Sequence, residues 1–273
     1  MALDMKGPNQ IFKHSRNFDQ GVGTRQERIG QADVIVAQDG TADAETIQDG
    51  VDLLSSKGGT VFIKEGEYHL QDPVKVNIDG TVIKGAGKAT KIYTDEFDDS
   101  YWAFDCNADR LHFELLLIDM EGNFDNGGLE LSGKYQNIEK CWFENGSDNP
   151  ISLGDYSAVT NCYFTETYSA VSIYSTDNCV FSNNIVDDTF STAIYISHGN
   201  NSTISGNIVI NEDIVIYNSA SRNVITGNRV KGGIIEIEEK AYTAEENLVV
   251  GNIADDITDN ATDTLVANNI KTG

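Results

Sequence analysis

The chain has 273 residues, 40% of them apolar, enough for one large domain or two small ones. Its 19 Lys and Arg stand against 43 Asp and Glu, a net charge of −24, and so acidic a surface repels nucleic acid and anionic membranes. No stretch approaches the ~18 apolar residues of a membrane span, and the opening MALDMKGPNQ lacks the charged-then-apolar pattern of a signal peptide.

We therefore expect folding in the cytoplasm, with no membrane insertion and no nucleic-acid partner. The acidity fits a solvated coat of the kind that suits halophilic surroundings. It also fits divalent-cation binding, Ca²⁺ above all, and composition alone does not separate the two. Four cysteines, Cys106, Cys141, Cys162 and Cys179, form no C-x-x-C pair and are expected as buried thiols.

In chain order, residues 1–40 read as an N-terminal arm and 41–273 as the folded body. Residues 1–30 carry Lys6, Lys13, Arg16, Arg25 and Arg28 against Asp4, Asp19 and Glu27, a net of +2, so the rest of the chain carries −26. A mildly basic arm on an acidic body suits a docking segment. From Asp43 to Leu54 the pattern is helical: Ile47, Val51 and Leu54 share one face, Asp43 is placed to cap the start, and Lys57-Gly58-Gly59 ends it. Gly59–Ile63, Gly66–Leu70 and Val74–Val76 then read as three strands of a first coil, which Thr81–Gly85 and Lys91–Tyr93 continue. Leu111–Asp119 is a further long run.

The second half repeats. NSTISGNIV (201–209), RNVITGNRV (222–230) and ENLVVGNIA (246–254) are variants of one segment. Aligned with their neighbours they give an apolar column, Ile138, Val159, Phe181, Ile204, Ile225, Val249 and Val266. Three residues on stand Cys141, Cys162, Asn184, Asn207, Asn228, Asn252 and Asn269, at steps of 17 to 24. Between these segments lies a third column, Leu131, Leu153, Ile173, Ile196, Ile216, Ile237 and Ile257. Short β-branched runs split by Gly, Asn, Asp or Ser are strands and turns, and one coil alone cannot bury its inward side chains. Stacking coils at ~4.8 Å makes the apolar columns a continuous core and the Asn column a hydrogen-bonded ladder. The repeat thus predicts an all-β, single-stranded parallel β-helix of roughly 9–10 coils, with the helix at 43–54 covering its open first edge.

The entry segment Thr46–Leu54, followed by Gly58–Ile63 and Gly66-Glu67-Tyr68, resembles the capping helix and first coil of the pectate-lyase-like superfamily, and the Asn ladder adds to the likeness. The resemblance covers about residues 40–270 and implies a right-handed helix. It implies little about function, because the superfamily holds lyases, hydrolases, epimerases and virus tailspikes. Polygalacturonase-like members carry Asn-Thr-Asp, Asp-Asp, Gly-His-Gly and Arg-x-Lys segments in that order. This chain offers Ser175-Thr176-Asp177, Asp187-Asp188, Ser197-His198-Gly199 and Arg229-Val230-Lys231. In that family the segments stack about one coil apart. Here Asp177 to Asp187 and Asp188 to His198 are 10 residues each, half a coil, which puts successive members on different walls.

The expectation is a non-catalytic virion structural protein, such as a tail spike, fibre or capsid-decorating protein, that recognises a host-surface receptor or glycan. It would be folded in the host cytoplasm, dock to other virion proteins through its arm, and need no cofactor; the resemblance implies a homotrimer. The alternative is a lyase, hydrolase or epimerase acting on an acidic glycan, with Asp187, Asp188 and His198 as its candidate catalytic residues. Tyr101, Trp102, Trp142, Tyr156, Tyr163, Tyr168, Tyr174 and Tyr195 suit stacking on sugar rings if they lie exposed on one wall, and equally suit packing against a subunit.

Overall fold

A computed structural model describes residues 32–95, 102–120, 127–238, 244–261 and 263–273. Residues 1–31, most of the expected docking arm, lie outside them. Among the described residues, three parallel sheets hold 11, 10 and 9 strands. Each coil visits the three in turn. Gly59–Ile63 lies on the first face, Gly66–His69 on the second and Val74–Val76 on the third, and Thr81–Lys84 returns to the first. The molecule is a parallel β-helix.

The apolar column of the first face stacks as its spacing predicts. Ile138, Val159, Phe181, Ile204, Ile225, Val249 and Val266 are cross-strand partners in unbroken succession. The central residue of each three-residue strand from Asn137–Glu139 to Leu248–Val250 is buried and its two neighbours are half-buried, as alternation in a strand requires. Phenylalanines stack within the core: the Phe143 and Phe164 rings lie 5.0 Å apart and Phe181 follows at 5.7 Å.

The column on the third face holds through Ile173, Ile196, Ile216 and Ile237. Its last member departs from expectation. Ile257 pairs with Ile235, while Ile237 pairs with Asp259. A two-residue slip keeps the same side chains inward, so the hydrophobic pattern does not oppose it.

At the corner between the first and second faces runs the predicted ladder. The Oδ1 of Asn184, Asn207, Asn228, Asn252 and Asn269 each accepts the backbone N–H of its counterpart one coil earlier, at 2.8–2.9 Å. Each Nδ2 donates to a carbonyl of the preceding coil: Asn207 to Phe181 O at 2.9 Å, Asn228 to Ile204 O at 2.9 Å. Cys141 and Cys162 head the column, with a sulfur contact of 3.5 Å from Cys141 N to Cys162 Sγ. All four thiols are free and buried, and burial pushes those of Cys106, Cys141 and Cys179 upward in pKa. The left-handed turn falls on the residue before each ladder position, not on the ladder asparagine itself. Asn161, Asn183, Gly206, Gly227, Gly251 and Asn268 take φ of 55–69°, the conformation that Gly and Asn bear most easily.

A second ladder, which the repeat did not bring out, lines the corner between the third and first faces. Cys179 N donates to Ser202 Oγ (3.1 Å), Ser202 N to Asn223 Oδ1 (2.9 Å) and Asn223 N to Asn247 Oδ1 (2.9 Å). Each member sits five residues before a member of the first ladder.

The body starts earlier than residue 41. Val34–Val36, inside the segment read as arm, pairs with Val61–Ile63 as the outermost strand of the first face; Val34 and Val36 are buried in the core. The helix, α1, is shorter than its pattern and runs Ile47–Asp52. Thr46 caps it, its Oγ1 accepting from Asp49 N at 3.1 Å. Asp43 instead accepts the N–H of Ile35 at 2.8 Å, satisfying the edge strand. Ile47 and Val51 are buried against the first coil. Gly50 lets α1 come that close, because a Cβ there would lie 2.4 Å from Val36 Cγ2.

Replacing Asn207 by Ala strands buried donors on Asn184 and the Phe181 carbonyl. Each such orphan costs about 1–3 kcal/mol, so Asn207→Ala should lose about 2–4 kcal/mol in urea melts followed by circular dichroism. Asn269→Ala, on the last coil, should lose about 1 kcal/mol. Equal losses for the two variants would contradict a ladder whose interior rungs carry the load.

Candidate functional site: an aromatic crevice on the third face

The aromatic residues divide among three surfaces. Trp142 and Tyr163 are paired on the second face, and the Lys88 ammonium lies over both rings, 5.7 and 5.4 Å from their centroids. Lys88 is also bound by Glu144 at 3.1 Å, so this pair already holds a cation. Tyr156 stacks on Tyr135 at 5.0 Å, in the turn between third and first faces. The remaining group is on the third face. There Tyr195 lies beside Ser172 and Val215 and 5.9 Å from the Tyr217 ring, and Tyr174 is 62% exposed. Trp102 is on this face too, one of its ring carbons 2.3 Å from where a Cβ on Gly127 would stand. Tyr101 lies outside the described residues.

Where the second face turns into the third, successive coils present Asn149, then Tyr168 and Ser169, then Ser191 and Thr192. With Ser172 and Tyr195 they line a crevice of about 280 Å³. Two tyrosines thus share a crevice with a set of hydroxyl and amide side chains. The Ser169 hydroxyl is bonded to Asn149 Oδ1, which fixes one edge of the crevice. Next to it, Phe190 is 65% exposed. The backbone bond from Ile194 N to Asp213 O (3.3 Å) places the Glu212-Asp213 turn on the rung after Thr192. Burial, then the charges of Asp213 and Asp188, raise the Glu212 carboxyl above its ordinary value. Asp213 is engaged, accepting Ile234 N at 2.7 Å.

A larger crevice, about 690 Å³, opens at the N-terminal end between Asp39, Phe62, Lys64 and Tyr68. Two of its polar groups are already paired: the Lys64 ammonium donates to Thr41 Oγ1 at 2.8 Å and the Tyr68 hydroxyl to Lys64 O at 3.2 Å. Burial holds the Tyr68 phenol up at about 12. The third-face crevice, which combines two tyrosines with several hydroxyl groups, is the candidate recognition surface.

The sequence-selected carboxylates and histidine do not converge. Asp187 ends the second-face strand Ile185–Asp187, and Asp188 follows in a turn with φ 59°. His198 follows the third-face strand Ile194–Ser197, its ring nitrogen 2.8 Å from Ser197 Oγ. That strand separates Asp188 from His198 by roughly 13 Å at ~3.3 Å per residue. Arg222 and Arg229 part in the same way: Arg222 donates to Asn201 Oδ1 at 2.9 Å in the third-to-first turn, and Arg229 stands on the second face. No group of three or more His, Cys, Asp or Glu among the described residues is placed to hold a metal ion.

Residues 119–270 match the family described as right handed beta helix region. The chain belongs to the right-handed β-helix family. No curated protein matches its sequence as a relative. Its fold is similar to that of ORF18 of Geobacillus virus E2, with a TM-score of 0.63 at 14% identity over 97% of this chain and 63% of that one. It is similar also to DFA-IIIase from Arthrobacter chlorophenolicus A6, with a TM-score of 0.60 at 14% identity over 72% of this chain and 60% of that one. A third likeness is to the catalytic unit of a GH87 α-1,3-glucanase from Streptomyces thermodiastaticus, with a TM-score of 0.51 at 16% identity over 76% and 42% of the two chains. The β-helix spans less than two thirds of the length of each. At such identities the likeness is one of fold, shared by a phage protein and by enzymes.

Because Glu212 holds its proton more tightly folded than unfolded, its contribution to stability is present at low pH and lost as pH rises through the raised value. In thermal melts across pH, Glu212→Gln should be more stable than the parent at neutral pH, and the difference should vanish below about pH 4. A variant less stable than the parent at neutral pH would contradict the burial of that carboxyl.

Proposed function

We propose that this β-helix is a non-catalytic virion protein, of the tail-spike, fibre or capsid-decorating kind, that binds a glycan of the host surface in its third-face crevice. The observation that carries the reading is that Tyr168 and Tyr195 line one crevice together with Ser172, Ser191, Thr192 and Asn149. Phenol rings offer flat apolar faces to sugar C–H groups, and the hydroxyl and amide groups beside them match sugar hydroxyls. Glu212, Asp213 and Asp188 beside the crevice, and Glu130 and Glu236 farther along the same face, repel an acidic glycan. A neutral glycan is the chemistry that fits. The fold likeness to a phage protein over nearly the whole chain supports the virion setting, and residues 1–31, basic where the body is acidic, supply the docking segment.

Catalysis on a glycan is the second reading, and one observation favours it. Glu212 keeps its proton more readily than an ordinary carboxylate and sits one rung from the crevice, as a proton donor to a leaving oxygen must.

Titrating neutral and uronate-containing oligosaccharides into the protein by calorimetry separates these readings, with reducing ends and unsaturated-uronate absorbance followed in parallel. Neutral glycan should bind without turnover. Tyr168→Ala and Tyr195→Ala should each weaken binding about tenfold, since ~1.4 kcal/mol per ring is within the range for aromatic contacts, and His198→Ala should leave it unchanged. Turnover abolished by Glu212→Gln or Asp188→Asn would replace the binding role by an enzymatic one. Preference for the uronate polymer would overturn the neutral-glycan reading.

A further inference from the structure

Charge is not spread evenly around the coils. From the rung of Ala158–Thr160 to that of Leu265–Ala267, every outward side chain of the first face is uncharged. One outward column runs Thr160, Ser182, Ser205, Thr226 and then Val250; the parallel one runs through Val180, Thr203, Val224 and Leu248. The surface continues around the corner over Asn183, Gly206 and Gly227 onto the first outward column of the second face. There Ile185, Ile208, Ile253 and Ile270 stand 39%, 42%, 37% and 58% exposed, with Arg229 the one charge among them. Among the described residues, all the exposed large aliphatic side chains except Leu53 are on this surface or at its last rung.

The margins are charged. Glu114 and Glu139 end the surface on the N-terminal side, Asp187 and Lys231 bound it on the second face, and Glu245 and Glu246 lie along the turn before the first face. A contiguous apolar surface rimmed by polar groups marks an interaction site. Six rungs at ~4.8 Å make it about 24 Å long.

We propose that this surface, independently of the glycan crevice, is where copies of this chain associate with one another. Two arguments select a second copy as the occupant. A body that carries −26 outside residues 1–30 repels its like over most of its surface, and this long carboxylate-free face lets two copies touch without bringing carboxylates together. The face is also ridged at the ~4.8 Å spacing of stacked strands, a periodicity that another β-helix of the same kind matches rung for rung along the whole length. Association then rests on apolar burial and short hydroxyl contacts, while the surrounding carboxylates oppose it.

That balance has a distinctive salt dependence. Screening weakens the repulsion and leaves apolar burial intact, so association should tighten from low to molar NaCl. Sedimentation equilibrium of the full chain reads it directly. The parent should be oligomeric, and Ile208→Glu and Thr226→Glu, both at outward positions, should each weaken association at least about tenfold with the parent's circular dichroism. Ser172→Glu on the third face should associate like the parent. A chain monomeric at every salt concentration would overturn the proposal, as would an oligomer that dissociates as salt rises or one indifferent to both glutamate substitutions. Should Ile208→Glu fail to fold, Thr226→Glu decides alone.

Discussion

The corner carboxamide is the interaction on which the rest depends. A β-helix turns sharply after each three-residue strand, and every turn leaves backbone groups that no strand partner reaches. At the first-to-second corner Asn184, Asn207, Asn228 and Asn252 meet that need, each accepting an N–H from the preceding coil and donating to a carbonyl of that same coil. Those side chains are buried, where an unpaired amide is costly. The ladder therefore locks coil on coil at one register. It also spares the strands that task, so they stay short and the outward positions line up as straight columns.

Straight columns turn sequence repeats into surfaces. The same segment that supplies the ladder, of the form NSTISGNIV, carries no acid on its strands in its three most regular copies, Glu246 standing in the turn before them, and its stacking creates an uncharged wall on a protein of net charge −24. The acidic residues stand on the other two faces, in the turns and on the earlier rungs of the first face. One wall becomes suited to self-contact. The opposite region, where Tyr168 and Tyr195 meet Ser and Thr among carboxylates, becomes suited to a neutral polar ligand. Both consequences follow from one repeat and from where its turns place charge.

How much was legible in the sequence follows from the same physics. The first-face column and the Asn ladder could be read because each position tolerates a single chemistry, inward apolar or corner carboxamide. The second ladder escaped because Ser202, Asn223 and Cys179 do the same work with three different side chains, although a constant offset of five residues from the first ladder was available as a signal. The slip at Ile257 was hidden because Ile235 and Ile237 both point inward, so period-two patterning allows either partner. Helix α1 began later than the expected cap suggested because Asp43 caps a strand N–H instead of the helix. Among the sequence-selected residues, the half-coil spacing from Asp177 to Asp187 and from Asp188 to His198 already placed successive members on different walls. The crevice itself was not legible, since Asn149, Tyr168 and Thr192 come from three separate corners and only stacking brings them together.

Hydrogen exchange at the corner amides tests the central claim most directly. If buried carboxamides hold the coils in register, the backbone amides of Asn184, Asn207 and Asn228 should exchange as slowly as those of the central strands beside them, such as Ile204 and Ile225. Exchange of those corner amides at the rate of unprotected amides, while Ile204 and Ile225 stay protected, would contradict the account, because the ladder would then be a consequence of the stack and not what fixes it.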